Sequence, residues 1–349
     1  MKIYVNARFL TQPVSGVQRY GIESSLQIKM LYPNTTFVSP GNILYKDIAD
    51  ALGVEVIGRN TGHLWEQIDL PLYLAKKGAP PLLNLANTAP LLYSNNYYTL
   101  HDLAFSHNPE WNSALFSAWY NFFVPRVARK ARHIFTVSQT MRDEISRHYQ
   151  IPPKKISVTY NGIAAHMLNN AGAPPPKENI ILSVGTFNMR KNHHNLIKAF
   201  LQSSIKNRYR LVIVGDKNKV FKEVNIDDSV LAGNNITILE RLPEDALRDM
   251  YQKAEVVASL SMYEGFGIPL LEGLFYGCKI ICSDIPVYHE LYNEHGQFCD
   301  PLDVAAITEA LNKVPTTEFN SSGLSGLFEK YNYKRTAEEI LKVIVPTTG

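Results

Sequence analysis

VVASLSMYEGFGIPLLEGLFYGCKIICSD, residues 256–284, runs from an apolar segment through a glycine loop and a helical segment to a second apolar segment. VVASLS and KIICSD are short and almost wholly apolar, as strands buried on both faces are. Pro269 suits the first turn of a helix, where its missing N–H costs nothing. Gly277 suits the end of that helix. A strand, a helix and a second strand in this order signal a parallel sheet covered by helices. The loop before the helix carries Glu264 and the helix itself carries Glu272, the two charged groups between Val256 and Cys278.

The same alternation extends in both directions. NIILSVGT and YRLVIVGD are apolar strands that end in glycine, and the segments HHNLIKAFLQS, PEDALRDMYQKA and DVAAITEALNKV read as helices. Upstream, KIYVN, TTFVS, VEVIG, PLLNLA, YYTLHD, HIFTVS and ISVTYNG recur as short strands with helical stretches between several of them. The chain of 349 residues is long for one core and comfortable for two. NNAGAPPPKEN, residues 169–179, is polar, proline-rich and without periodicity, as a linker is. The expected organisation is therefore α/β, with two doubly wound Rossmann-like domains facing a central cleft. Their expected bounds are 1–168 and 180–332, with a last helical segment over 333–349. In such sheets ligands sit beyond the carboxyl ends of the strands.

Composition excludes several classes. Apolar residues make up 45% and charged residues 19%, as in a globular protein, and no run reaches the length of a membrane span. A net charge of +3 is too weak to argue for nucleic acid. Cys278, Cys282 and Cys299 are few and odd in number, which fits a reducing cytoplasm and core packing better than disulfides or zinc. MKIYVNARF reads as a strand and not as a signal peptide. Arg126, Arg129, Lys130 and Arg132 follow the aromatic segment Trp119–Phe123. This stretch, 119–132, reads either as a helix with a solvated basic face or as one lying on anionic lipid, aromatics inward and cations outward.

Four stretches can carry chemistry. In the first, Gly265 and Gly267 allow close backbone approach to a ligand, and the helix start beyond them attracts phosphate. Glu264 and Glu272 can then grip sugar hydroxyls on either side. Taken singly, Glu272 reads equally as a helix-dipole partner and Glu264 as a solvated loop residue; the combination favours the ligand cradle. In the second, SVGTFNMRKNHHNLIKAF, Arg190 and Lys191 lie between a strand and a helix and suit a diphosphate, as fork and point charge. His193 and His194 read as helix-surface residues. In the third, YYTLHDLAF, His101 ends a strand of the first domain and reads as a hydroxyl-orienting or proton-holding group, or as a satisfied neighbour of Asp102. In the fourth, TQPVSG, Gly16 stands alone where a dinucleotide fingerprint needs three glycines, which argues against an NAD site.

Together these stretches resemble the retaining glycosyltransferases of the GT-B fold that carry a Glu-x7-Glu motif, the spacing of Glu264 and Glu272. HDLAF, ARHIFTVSQTMRDEI, ISVTYNGI, SVGTFNMRKNHHNLIKAF and FCDPLD are similar to that family's landmarks and follow its order. Within the family the chain is most similar to bacterial enzymes of O-antigen and surface-polysaccharide synthesis, often mannosyltransferases.

The resemblance implies a nucleotide-diphosphate sugar donor, GDP-mannose first, with UDP-sugars, GDP-fucose and dTDP-rhamnose open. Glu272 would bind the ribose and Glu264 the hexose, with amides of Gly265, Phe266 and Gly267 on sugar and phosphate. Ile268, Pro269, Leu270, Gly185 and Thr186 complete the implied donor set. Lys191 matches the family's diphosphate lysine. Thr186 stands where the family often has arginine, and Arg190 would supply that charge. His101 matches the histidine facing the donor sugar, and Gly16 the glycine near the donor phosphate. The last helix is expected to cross back to the first domain. The acceptor would be a lipid-linked glycan, with transfer at the cytoplasmic face of the membrane.

No cofactor and no metal are expected, since no Asp-x-Asp motif is present, and Arg190, Lys191 and helix amides would stabilise the leaving diphosphate. Same-face attack, with the phosphate taking the acceptor proton, is favoured over double displacement through a carboxylate. A sugar-nucleotide epimerase, which would turn over donor alone, and a non-catalytic nucleotide-sugar-binding partner are the alternatives.

Overall fold

The structure, a computed structural model, describes all residues except 109–110, 112, 169–174, 216–232, 241 and 346–349. Contacts divide the chain into two compact units, Met1–Ala164 with Lys330–Gly349, and Ala165–Glu329.

The first unit is built on a seven-stranded sheet in the order β3-β2-β1-β4-β5-β6-β7, every neighbouring pair parallel. Its strands are β1 Ile3–Asn6, β2 Thr35–Ser39, β3 Glu55–Val56, β4 Leu82–Asn84, β5 Asn96–Thr99, β6 His133–Thr136 and β7 Ile156–Val158. The sequence order reverses between β1 and β4, which makes that edge the switch point where such sheets open for ligands. Tyr4, Val38, Trp65, Leu70, Leu74 and Leu82 form a core cluster against this sheet. The helix Tyr333–Ile344 packs along Gly16–Leu31. Its start is close to the chain after β7: a Cβ on Gly162 would lie 2.6 Å from Asn332 Cα.

The second unit holds β8 Glu178–Val184, β9 Arg210–Val214, β10 Ile236–Leu239, β11 Ala254–Ser259, β12 Lys279–Ser283 and β13 Gly296–Cys299. Their order is β10-β9-β8-β11-β12-β13, again all parallel. Val256 pairs with Ile181 and Val257 with Leu182, so β8 and β11 flank the second switch point. Ile181, Ile213, Val256 and Ile281, one from each of four strands, share a core with Leu196, Phe200, Ile307 and Leu311 from two helices. Cys278, Cys282 and Cys299 are buried thiols, and burial pushes all three up from their ordinary range.

Four sequence-based placements need correction. Glu178 and Asn179, assigned to a linker over 169–179, open β8; residues 169–174 of that stretch lie outside the described residues. Gly16 is the first residue of the helix Gly16–Leu31, not part of the loop before it. There Ser15 donates both its N–H and its hydroxyl to the Gln18 side chain, which ties down the helix start.

His193 is buried, not on a helix surface; its ring meets Phe187 edge-on at 4.8 Å, and burial first, then Lys191, push it down to about 3. It opens the helix His193–Gln202. Finally, Phe122 does not turn inward with the other aromatics of 119–132. It is 49% exposed, with the Arg126 guanidinium 3.7 Å from its ring centre. Trp119 and Phe123 stack on each other at 3.9 Å instead. Pro125 lies inside this helix, Ala114–Lys130.

Candidate active site

The second switch point brings together two loops, one after β8 and one after β11. The β8 loop ends in a single helical turn, Met189–Lys191, whose start is capped by the Asn188 side chain accepting from the Lys191 N–H at 3.0 Å. The Arg190 carbonyl accepts from the Met262 N–H at 2.8 Å, and the Arg190 guanidinium donates to the Tyr263 carbonyl at 3.2 Å. These bonds lock the two loops against each other. Both side chains of the β8 loop then reach the same acid. Lys191 Nζ lies 2.5 Å from Glu264 Oε1, and Arg190 Nη1 lies 3.1 Å from Glu264 Oε2.

Glu264 is 8% exposed. Burial alone would raise its carboxyl, but the charges of Arg190 and Lys191 outweigh that and hold it down to about 2. The cluster is therefore ionised throughout, with two cations facing one carboxylate. The aliphatic stem of Lys191 passes over Gly185, the residue that follows β8, and Thr186 beside it is exposed.

The rest of the β11 loop is packed. Gly265, Phe266 and Gly267 are buried, Ile268 and Pro269 half-buried, and Leu270 buried. Gly267 stands at φ 92°, ψ 53° as the residue before the helix Ile268–Phe275. A side chain is excluded there twice over, by the left-handed backbone and by Tyr288, whose Cε1 would be 2.5 Å from a Cβ. Pro269 occupies the first turn of that helix, as expected of its missing N–H.

Glu272 lies one turn into that helix and is buried. It lies beside Tyr251, whose phenol is pushed well up by burial and then by the Glu272 charge. The helix comes this close to β11 because residue 273 is glycine: a Cβ there would be 2.7 Å from Val257 Cγ2. Gly273, Tyr288 and Tyr251 carry no signal in the sequence beyond being small or aromatic; their contacts are with residues distant along the chain.

His101 and Gly16 belong to the first unit. His101 follows β5 by two residues and is 6% exposed. Its Nε2 lies 3.0 Å from the Leu85 carbonyl, which can only accept, so Nε2 carries the proton. Burial lowers the ring's affinity for a second proton more than Asp102 raises it. The neutral ring then offers Nδ1 as an acceptor. Tyr20, one turn after Gly16, meets the His101 ring edge-on at 4.8 Å and so couples the two positions.

A second polar cluster, which the pattern of the sequence does not reveal, occupies the switch point of the first sheet. Glu66 is 1% exposed and accepts from Arg8 Nε at 3.2 Å, Asn6 at 2.9 Å and Thr88 at 3.1 Å. Burial opposes its ionisation, and Arg8 chiefly overcomes that, bringing the carboxyl to about 2. Among the described residues no three His, Cys, Asp or Glu side chains gather as metal ligands.

Two parallel sheets, each with a polar cluster at its switch point, give the chain two doubly wound α/β units, and comparison with known proteins supplies the family. Residues 168–335 match the family described as "Glycosyl transferases group 1", and residues 81–166 match "Glycosyltransferase Family 4". The chain belongs to these glycosyltransferases, of the GT-B fold. It is 28% identical over 250 residues to the "O-antigen chain mannosyltransferase RfbU" of Salmonella typhimurium, covering 71% of this chain and 68% of that one.

It is 29% identical over 171 residues to the "N-acetylgalactosamine-N,N'-diacetylbacillosaminyl-diphospho-undecaprenol 4-alpha-N-acetylgalactosaminyltransferase" of Campylobacter jejuni, covering 47% of this chain and 44% of that one. The second match thus spans less than half the length of either protein. In fold it is similar to Anabaena Alr3699/HepE in complex with UDP and glucose. There the TM-score is 0.74 at 16% identity, over 99% of this chain and 100% of that one.

Proposed function

We propose that this glycosyltransferase moves a hexose, mannose from GDP-mannose first, to a lipid-linked glycan with retention of anomeric configuration. The observation that carries the reading is the ionised cluster of Arg190, Lys191 and Glu264 at the β8/β11 switch point. A leaving diphosphate gains negative charge as the anomeric bond breaks, and two fixed cations with the amides of Gly265, Phe266 and Gly267 stabilise it. The carboxylate faces the positive charge that spreads over the sugar ring. Glu272, in its separate place beside Tyr251, binds the ribose. No metal and no cofactor enter this scheme. The leaving phosphate takes the acceptor proton as the acceptor attacks the same face.

Two relatives support the substrate classes: one is named for mannose transfer to O-antigen, the other for transfer to a diphospho-undecaprenol glycan. His101 takes the role of a hydroxyl acceptor for the donor sugar through Nδ1, and Gly16 that of a close backbone approach to the donor phosphate. An anionic membrane surface is the further partner proposed, through the exposed Phe122, Arg126, Arg129, Lys130 and Arg132. The enzyme then works as a peripheral protein on the cytoplasmic face. Among the described residues no helix is long and apolar enough to cross a membrane.

A thermal-shift panel of nucleotide sugars tests the donor. A ligand present at about 100 times its Kd adds about 2.7 kcal/mol of stability. GDP-mannose giving the largest shift supports the reading, and no shift with any nucleotide sugar overturns it. Product analysis by NMR then reads the anomeric configuration, with EDTA expected to leave the rate unchanged. Turnover of donor without acceptor would point to an epimerase instead.

A further inference from the structure

The helix Pro286–Tyr292, which follows β12, touches the β11 loop through two fully buried tyrosines. Tyr292 donates its hydroxyl to the Gly267 carbonyl at 3.0 Å, and its ring meets Phe266 edge-on at 6.4 Å. Tyr288 lies against Gly267, and its hydroxyl pairs with Ser259 Oγ, at the end of β11, at 2.7 Å. Tyr288 also lies close enough to Glu264 for that carboxylate to raise its phenol further, after burial. Each tyrosine therefore reaches the loop whose amides the proposed donor would meet.

A peptide unit is planar, so its carbonyl and the following N–H point in opposite directions. Holding the Gly267 carbonyl on Tyr292 fixes the direction of the Ile268 N–H, the first N–H of the helix and one of the four that no helical carbonyl accepts. The Gly267 carbonyl also accepts from the Leu270 N–H at 3.1 Å, so two donors hold one oxygen. Gly267 stands in the left-handed region that glycine allows, and Tyr288 closes the space beside it.

From this we infer that Tyr292, backed by Tyr288, is a positioning residue: it acts through the Gly267–Ile268 peptide to aim an amide at the leaving diphosphate. This rests on the donor site proposed above and adds to it two residues that do not themselves touch the donor. Because the aimed amide meets charge that develops as the bond breaks, the effect falls on kcat more than on KM.

The test is Tyr292→Phe, which keeps the ring and removes the hydroxyl. The expected result is kcat lower by roughly tenfold with donor KM within about twofold, and a melting temperature within a few degrees of wild type. In wild type the Ile268 amide resonance is expected to shift when the nucleoside diphosphate binds; in Tyr292→Phe that shift is expected to shrink. Wild-type kcat together with an unchanged Ile268 shift overturns the inference. Should the variant fold too poorly to assay, the wild-type Ile268 amide decides alone: no response to the nucleoside diphosphate also overturns it. Lys191→Ala run in parallel separates the two proposals. If it binds nucleoside diphosphate as wild type does, the donor site itself is wrong; if it loses binding while Tyr292→Phe is silent, only the positioning role fails.

Discussion

Lys191 Nζ rests 2.5 Å from Glu264 Oε1 while Arg190 closes on the other oxygen at 3.1 Å, so one buried carboxylate holds both cations of the loop after β8. Residues separated by 73 positions thus form one charge unit. The carboxylate keeps the two cations in place and limits their repulsion for each other.

Removal of either cation should therefore cost catalysis more than folding. Lys191→Ala is expected to lower kcat/KM by roughly two to three orders of magnitude, the scale of losing one preorganised donor. Arg190→Ala should cost less, because Arg190 is also bound to the loop backbone. Steady-state kinetics with saturating acceptor reads both. A Glu264→Ala protein at the wild-type rate would remove Glu264 from the mechanism.

The pH dependence of stability has a definite sign. The folded Glu264 carboxyl, at about 2, lies below its ordinary value of about 4.3 in an unfolded chain. A depressed acid stabilises above its unfolded value and loses that contribution as pH falls through the folded one. The difference in melting temperature between wild type and Glu264→Gln should stay level from pH 8 to 5 and shrink between about pH 4.3 and 2. A difference that shrinks instead between pH 8 and 6 would contradict the ion cluster.

Glu66→Ala should destabilise the first unit strongly, since it leaves Arg8 buried without its carboxylate. The expected loss is roughly 3–5 kcal/mol, the usual consequence of breaking a buried pair from one side. Denaturant unfolding followed by tryptophan fluorescence reports the first unit, because Trp65, Trp111 and Trp119 all belong to it. A loss below about 1 kcal/mol would show the pair to be dispensable.

Membrane binding should follow the outward face of the helix Ala114–Lys130. Wild type is expected to sediment with vesicles containing phosphatidylserine, less so as salt rises, and Arg126→Glu with Arg129→Glu to reduce it several-fold. Equal binding to neutral and anionic vesicles would speak against the basic face.

The elements that carry the candidate site are legible in the sequence. The strand VVASLS and the helix PLLEGLF sit where their apolar runs and Pro269 place them, because local propensity and burial agree there. The position of Lys191 just before a helix was equally clear. What pattern did not show was that Lys191 and Arg190 close on Glu264, since an ion pair across 73 positions leaves no periodic trace. The burial of His193 is likewise hidden from helical periodicity: its ring packs against Phe187, which lies outside its helix.

The amino-acid order by itself therefore determined the alternation of strands and helices, the two α/β halves and the residue types that stand in the loops after β8 and β11. Those follow from short-range rules: apolar runs, a proline at a helix start, a glycine where the backbone turns left-handed. Only the tertiary structure decided which charges pair, that Glu272 lies beside Tyr251 while Glu264 joins the cations, and that Tyr292 grips Gly267. Those are contacts between loops and helices that parallel strand pairing brings together, and pairing order across a switch point is a property of the assembled sheet.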